Sequence, residues 1–180
     1  MADIRSTLDI IMERTKNMTM SDEERAEFQR QTLTGKIKGW VQKYLDGVIG
    51  VKEIKSEIDS ESSKALSEIE KILKNELVGR LDPDSDNEKI FQLLKEVLHM
   101  NIDPLEQVIG KFYEDVIIEK ARKIRSLRQA LEERHISGSA VVPNVDQDAS
   151  WQTLYEKSIG ECKKQLSIIA DRETIDARLV

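Results

Sequence analysis

The chain has 180 residues, of which 39% are apolar, 34% charged and only 4% aromatic. A typical globular chain is roughly 45–50% apolar and about 25% charged, so these proportions argue against a compact enzyme core and for long helices with narrow apolar stripes. A formal net charge of −6 argues against nonspecific nucleic-acid binding, and a single cysteine excludes an internal disulfide.

Six helical segments are predicted. The first covers about 3–17, where Ile4, Leu8, Ile11 and Thr15 stack on one face. The second opens on Ser21 and Glu24, the S-x-x-E spacing of a capping box. Ala26, Leu33, Ile37, Trp40, Tyr44 and Val48 form its stripe, and Gly47 or Gly50 stops it. The third runs from about Val51 to Gly79 with Val51, Ile54, Ile58, Ala65, Ile69, Ile72 and Leu77 at near-heptad spacing, interrupted at Ser62.

A loop, LDPDSDNEK, leads to a short fourth helix at about 86–100, with Ser85 and Glu88 as a second capping box. Ile90, Phe91, Leu94, Val97 and Leu98 face inward. Asp103 and Pro104 open the fifth helix, which reaches about His135. Its expected inner residues are Val108, Phe112, Ile117, Ala121, Ile124, Leu127 and Leu131. The stretch HISGSAVVPNVDQDASW then breaks the pattern, giving a non-helical connection at about 136–149. Ser150 caps the sixth helix, where Trp151, Tyr155, Ile159, Cys162, Leu166 and Ile169 share a face. The tail, 172–180, is expected to fray. The N-terminus is charged and lacks a signal-like apolar run, and no segment reaches the roughly 18 apolar residues of a membrane span. The expected setting is cytoplasmic, with no membrane insertion.

Four groupings are candidates for chemistry. Both histidines lie in E-x-x-H, as Glu96 with His99 and Glu132 with His135. Two such pairs, joined by glutamates from two more helices, hold the metals of carboxylate-bridged bundles, because residues three apart on a helix share a face. By helical projection Glu96 and His99 lie on the outer face of the fourth helix, whereas His135 lies close to an apolar stripe. The two pairs sit at opposite ends of the fifth helix, ~45 Å apart, so only a dimer could join them. Asp82, Asp84 and Asp86 alternate as in a calcium loop, but Asn87 and Leu93 stand where glycine and a bidentate glutamate are needed. The expectation there is an acidic turn favouring a helix N-terminus.

The segment 120–128 gathers Lys120, Arg122, Lys123, Arg125 and Arg128, a possible seat for an acidic partner. On a wheel these cations spread around most of the helix, so pairing with neighbouring acidic helices is the expected arrangement. Cys162 lies between Ile159 and Leu166, where a cysteine acts as a small core residue rather than a nucleophile. Gly35 and Gly39 form G-x-x-x-G, which suggests a close helix contact or a kink near Trp40. In the connection, Ala140, Val141 and Val142 form an apolar island that could dock a partner, although plain connection is the expected role.

Together these features predict an all-α protein. It is a single domain over 1–180, an elongated bundle of about six helices, two or three of them long, with coiled-coil-like packing. The expected function is non-enzymatic, an interaction or structural role with homodimerisation and no cofactor. The rival readings are a metal-binding bundle using Glu132 and His135, and an adaptor docking on an acidic assembly through 120–128.

Overall fold

The computed structural model describes residues 21–61 and 63–176. The predicted first helix and residues 177–180 lie outside them. The described residues form six α-helices and no strand: α1 (Asp22–Leu45), α2 (Val51–Asp59), α3 (Ser63–Gly79), α4 (Glu88–Glu96), α5 (Asp103–Glu132) and α6 (Ala149–Asp176). One turn of 3₁₀ helix, Val145–Gln147, precedes α6. The chain is therefore an all-helical bundle, as its periodicity predicts.

Local signals set several boundaries. At the start of α1 the Glu24 amide donates to Ser21 Oγ at 3.2 Å, and the Ser21 amide donates to Glu24 Oε2 at 2.8 Å. At its end Gly47 takes a φ of +75°. Val48 N–H then reaches Lys43 O at 2.8 Å and Gly47 N–H reaches Tyr44 O at 2.9 Å, the paired bonds of a glycine-terminated helix.

The helix predicted over 51–79 is broken in two. The cause lies in the serine-rich run Ser60-Glu61-Ser62-Ser63, where serine competes for backbone groups. Ser60 Oγ donates to Glu57 O at 2.7 Å. The break turns Ile54 and Ile58 of α2 into the same core as Ile69, Leu73 and Leu77 of α3. Arg30 meets Glu68 at 3.7 Å and Gln42 meets Arg80 at 2.9 Å. The equal sequence offset means that α1 and α3 run parallel, with α2 as the return. Lys74 to Asp171 at 3.8 Å and Asp82 to Lys163 at 3.4 Å set α6 antiparallel to α3.

Other caps differ from the expectation. Ser85 does not cap α4; Asp86 Oδ1 accepts the Glu88 amide at 2.9 Å, while Asn87 turns inward. Asp103 is the first residue of α5 rather than its cap, and its amide is held by Asn101 Oδ1 at 3.1 Å. Asp148, not Ser150, caps α6 by accepting the Trp151 amide at 3.0 Å. The helix continues through the expected fray point to Asp176.

The core joins residues of all six helices, but unevenly. From α5 only Leu105, Ile109 and Phe112 are buried, and from α6 only Cys162, Leu166 and Ala170 join the main cluster. In the second half of α5, Lys120 and Lys123 meet Asp146 of the one-turn helix and Asp148 at the start of α6. There, outside the main cluster, Val145 and Trp151 are buried. Ile117, expected inside, is 67% exposed, and half-buried Val116 takes the inward place. At 100° per residue Val116 lies about 40° from Phe112 and Ile117 about 140°. Ala26 and Val48 are also exposed rather than on the buried stripe. Val48 follows the Gly47 stop, and the first turns of α1 reach past the main core.

Candidate functional site

The two histidines share a backbone feature. His99 has a φ of +51° and His135 a φ of +61°, both left-handed. Glu96 and Glu132 are the last residues of α4 and α5. Each E-x-x-H thus straddles a helix end, and the shared-face premise of an i, i+3 ligand pair does not hold. Around His135 the backbone closes with Ile136 N–H to Leu131 O at 3.0 Å and His135 N–H to Glu132 O at 2.9 Å. These are the two bonds of a Schellman stop, with histidine in the position usually taken by glycine. Histidine is one of the few side chains enriched in this conformation. The 30-residue α5 lies between the pairs, a rise of ~45 Å. Glu96 instead accepts from Gln92 Nε2 at 2.8 Å. Among the described residues no three histidine, cysteine or acidic side chains gather as a metal site would require.

Glycine adopts a positive φ without strain, so His135→Gly should raise stability by about 1 kcal/mol. Thermal unfolding with and without a chelator checks it. A variant less stable than wild type, with the loss abolished by chelator, would return His135 to the ligands.

The acidic loop 82–87 is held from within by Asn87, a buried polar residue. Its Oδ1 accepts the Asp82 amide at 3.1 Å, and its Nδ2 donates to Asp82 O at 2.8 Å and Ser85 O at 2.9 Å. Buried Pro83 accepts from the Tyr113 hydroxyl of α5, and Asp84 accepts from the Tyr155 hydroxyl of α6. The bond to Asp84, then burial, pushes the Tyr155 phenol up to about 12. Burial and the nearby Glu96 and Glu88 raise Tyr44, whose hydroxyl donates to Gln92 Oε1 at 2.7 Å. The loop's carboxylates are thus engaged in backbone turns and docking. Four of the chain's aromatic rings, Phe112, Tyr113, Trp151 and Tyr155, run along the α5–α6 seam with centroids 5.7–6.2 Å apart, so the scarce aromatics are invested in helix packing.

The basic segment divides in two. Lys120 pairs with Asp146 at 2.8 Å and Lys123 with Asp148 at 2.9 Å. These cations tie the connection to α5. Arg122 pairs with Glu119 on its own helix. Arg125 and Arg128 are exposed and form no ion pair among the described residues. Only these two of the named cations remain turned to solvent without such a partner.

Asp148 is the anchor that sequence reasoning missed. Hydrogen bonds from Ser150, then from Lys123 and the Trp151 amide, hold its carboxyl down at about 2. The D-x-x-W spacing was the available signal. A carboxyl with a depressed folded value stabilises fully above its ordinary unfolded value of 3.8, and this contribution is lost as pH falls toward about 2. In a Trp40→Phe background, Trp151 fluorescence should change between those limits, and Asp148→Asn should remove that step. Identical titrations of the two proteins would refute the linkage.

Within the connection, Ala140 is exposed, Val141 half-buried and Val142 81% exposed. Val145 just beyond is the residue that inserts, at 3% exposure. Gly35 and Gly39 have nothing within 4 Å of a built Cβ, so no helix of the described chain approaches them closely. Cys162 is buried, and burial raises its thiol above the usual value, which keeps it protonated and weakly nucleophilic at neutral pH.

The cleft between α3 and α6 holds about 220 Å³, below the roughly 300–1,000 Å³ of pockets that enclose small ligands. A wider groove of about 770 Å³ runs along the first turns of α1 past Phe28 and Leu33, between charged side chains such as Glu23, Glu27 and Glu68. None of the described helices is long and apolar enough to cross a membrane. Comparison with family models, with curated proteins and with solved structures finds no match to the chain.

Proposed function

We propose that the chain is a non-enzymatic helical interaction protein that self-associates. The observation behind this reading is the outer face of α5, where Ile117 is 67% and neighbouring Ile118 49% exposed. Adjacent helical positions diverge by 100°, so both cannot face α6. Scattered exposed apolar residues are ordinary. Here two stand side by side, next to half-buried Ala121, beyond the last buried side chain of α5, Phe112. A second copy is the commonest cover for such a face. A cytoplasmic setting, where a lone thiol stays reduced, belongs to the same proposal.

The test is the concentration dependence of thermal unfolding. A folded state held together by association melts at lower temperature on dilution. The midpoint should fall over a hundred-fold dilution, and an unchanged midpoint would contradict self-association. An adaptor reading retains Arg125 and Arg128 as a seat for an acidic protein. It is the weaker reading, because Lys120 and Lys123 are already paired within the chain.

A further inference from the structure

Resting on the self-association reading, we propose that two copies join through the outer face of α5, packed antiparallel about a two-fold axis between Ile118 and Ala121. Set Phe112, which faces the core, as the reference on α5. Glu114, Ile117, Ile118, Ala121, Arg125 and Arg128 then lie within about 60° of the opposite direction. Along the helix Glu114, Ile118, Ala121, Arg125 and Arg128 follow alternating steps of four and three, the seam of a two-helix contact. The described chain leaves Glu114, Ile117, Ile118, Arg125 and Arg128 of this strip exposed and covers only Ala121 in part. Glu114, Arg125 and Arg128 are exposed and form no ion pair among the described residues.

The order of charges along the strip selects its occupant. An acid stands at one end, the apolar step in the middle and two cations at the other end. A parallel copy would set Glu114 against Glu114 and arginine against arginine. An antiparallel copy sets Ile118 on the partner subunit's Ala121 and Glu114 opposite the partner subunit's Arg125; the partner subunit's Arg128, one turn further on, comes level with exposed Lys111, so Arg125 carries the pairing. The two-fold axis repeats each contact. Small Ala121 beside the axis lets the backbones approach. The product is a four-helix arrangement of two α5–α6 hairpins, a common way for such hairpins to bury a second face.

Charge reversal tests this without disturbing the fold, since all the substituted positions are exposed. The dissociation constant is measured by analytical ultracentrifugation for wild type, for Glu114→Arg, for Arg125→Glu, and for the two changes together. Each reversal alone should weaken association on the order of 100-fold, because it brings like charges face to face. The double variant should recover to within about tenfold of wild type. Glu114 and Arg125 are separated by ~16 Å along one helix, so the repair can come only from a second copy. Reversals that leave a wild-type dimer intact would overturn this interface while leaving self-association standing. The outer face of α1 around Phe28 would then be the next surface to examine. Reversals that dissociate the dimer without rescue by the double variant would also overturn it. A wild-type chain that stays monomeric at every concentration would overturn both readings.

Discussion

Asn87→Ala should lower stability by about 3 kcal/mol, because it removes three hydrogen bonds worth about 1 kcal/mol each. The Asn87 amide makes three hydrogen bonds to the loop backbone, to the Asp82 amide and to the Asp82 and Ser85 carbonyls. The loop in turn presents Pro83 to Tyr113 of α5 and Asp84 to Tyr155 of α6. Losing its internal support therefore loosens the junction of three helices rather than one turn. Asn87→Asp separates the terms. It keeps the acceptor for the Asp82 amide but loses both donated bonds, and its charge faces two carbonyl oxygens, so it should be at least as damaging as alanine. Urea unfolding checks both, with the slope of the transition read alongside its midpoint. A loss under about 1 kcal/mol for Asn87→Ala would mean that water replaces the amide and that the loop is not the junction described.

Trp151→Ala should cost about 3 kcal/mol, but locally, in the distal part of the α5–α6 hairpin. Trp151 is 6% exposed, stacks on Tyr155 at 5.8 Å and is buried with Val145 outside the main cluster. The distal half of α5 contributes no fully buried side chain of its own. Its packing rests on half-buried Ile124, Leu127 and Leu131. Removing the indole leaves Val145 as the buried side chain contributed by the connection. Hydrogen exchange read by residue should then show the amides of 120–155 losing protection, while Leu73, Leu93 and Leu94 keep theirs. Uniform loss across the chain would show that the hairpin and the main core unfold as one unit.

The sequence carried the signals that act within one turn of helix. Ser21 with Glu24 and the stop at Gly47 depend on groups three or four residues apart, and both form as read. What it did not carry depends on partners that arrive with folding. The break after Asp59 follows from weak local preference at the serines together with the need to bring α2 and α3 into one core. Asn87 looked like one more polar residue of an acidic turn, since its partners exist only once the loop has closed. The repeated E-x-x-H resembled a ligand motif because spacing on paper assumes continuous helix. Backbone dihedrals at His99 and His135 are not written in composition. Ile117 with Ile118 was legible in principle, because two neighbouring large apolar residues on a helix cannot both face one partner. Assigning Ile117 to the inner stripe concealed the second face that now carries the proposed interface.

The most direct test of the central claim is the solution mass of the intact chain by light scattering behind a sizing column, at micromolar concentration. Self-association through α5 predicts a mass near twice 20.6 kDa, falling toward the monomer value as salt screens the Glu114–arginine pairs. A mass that stays at 20.6 kDa across concentration and salt would contradict it, and would leave the α5 face to a partner other than this chain.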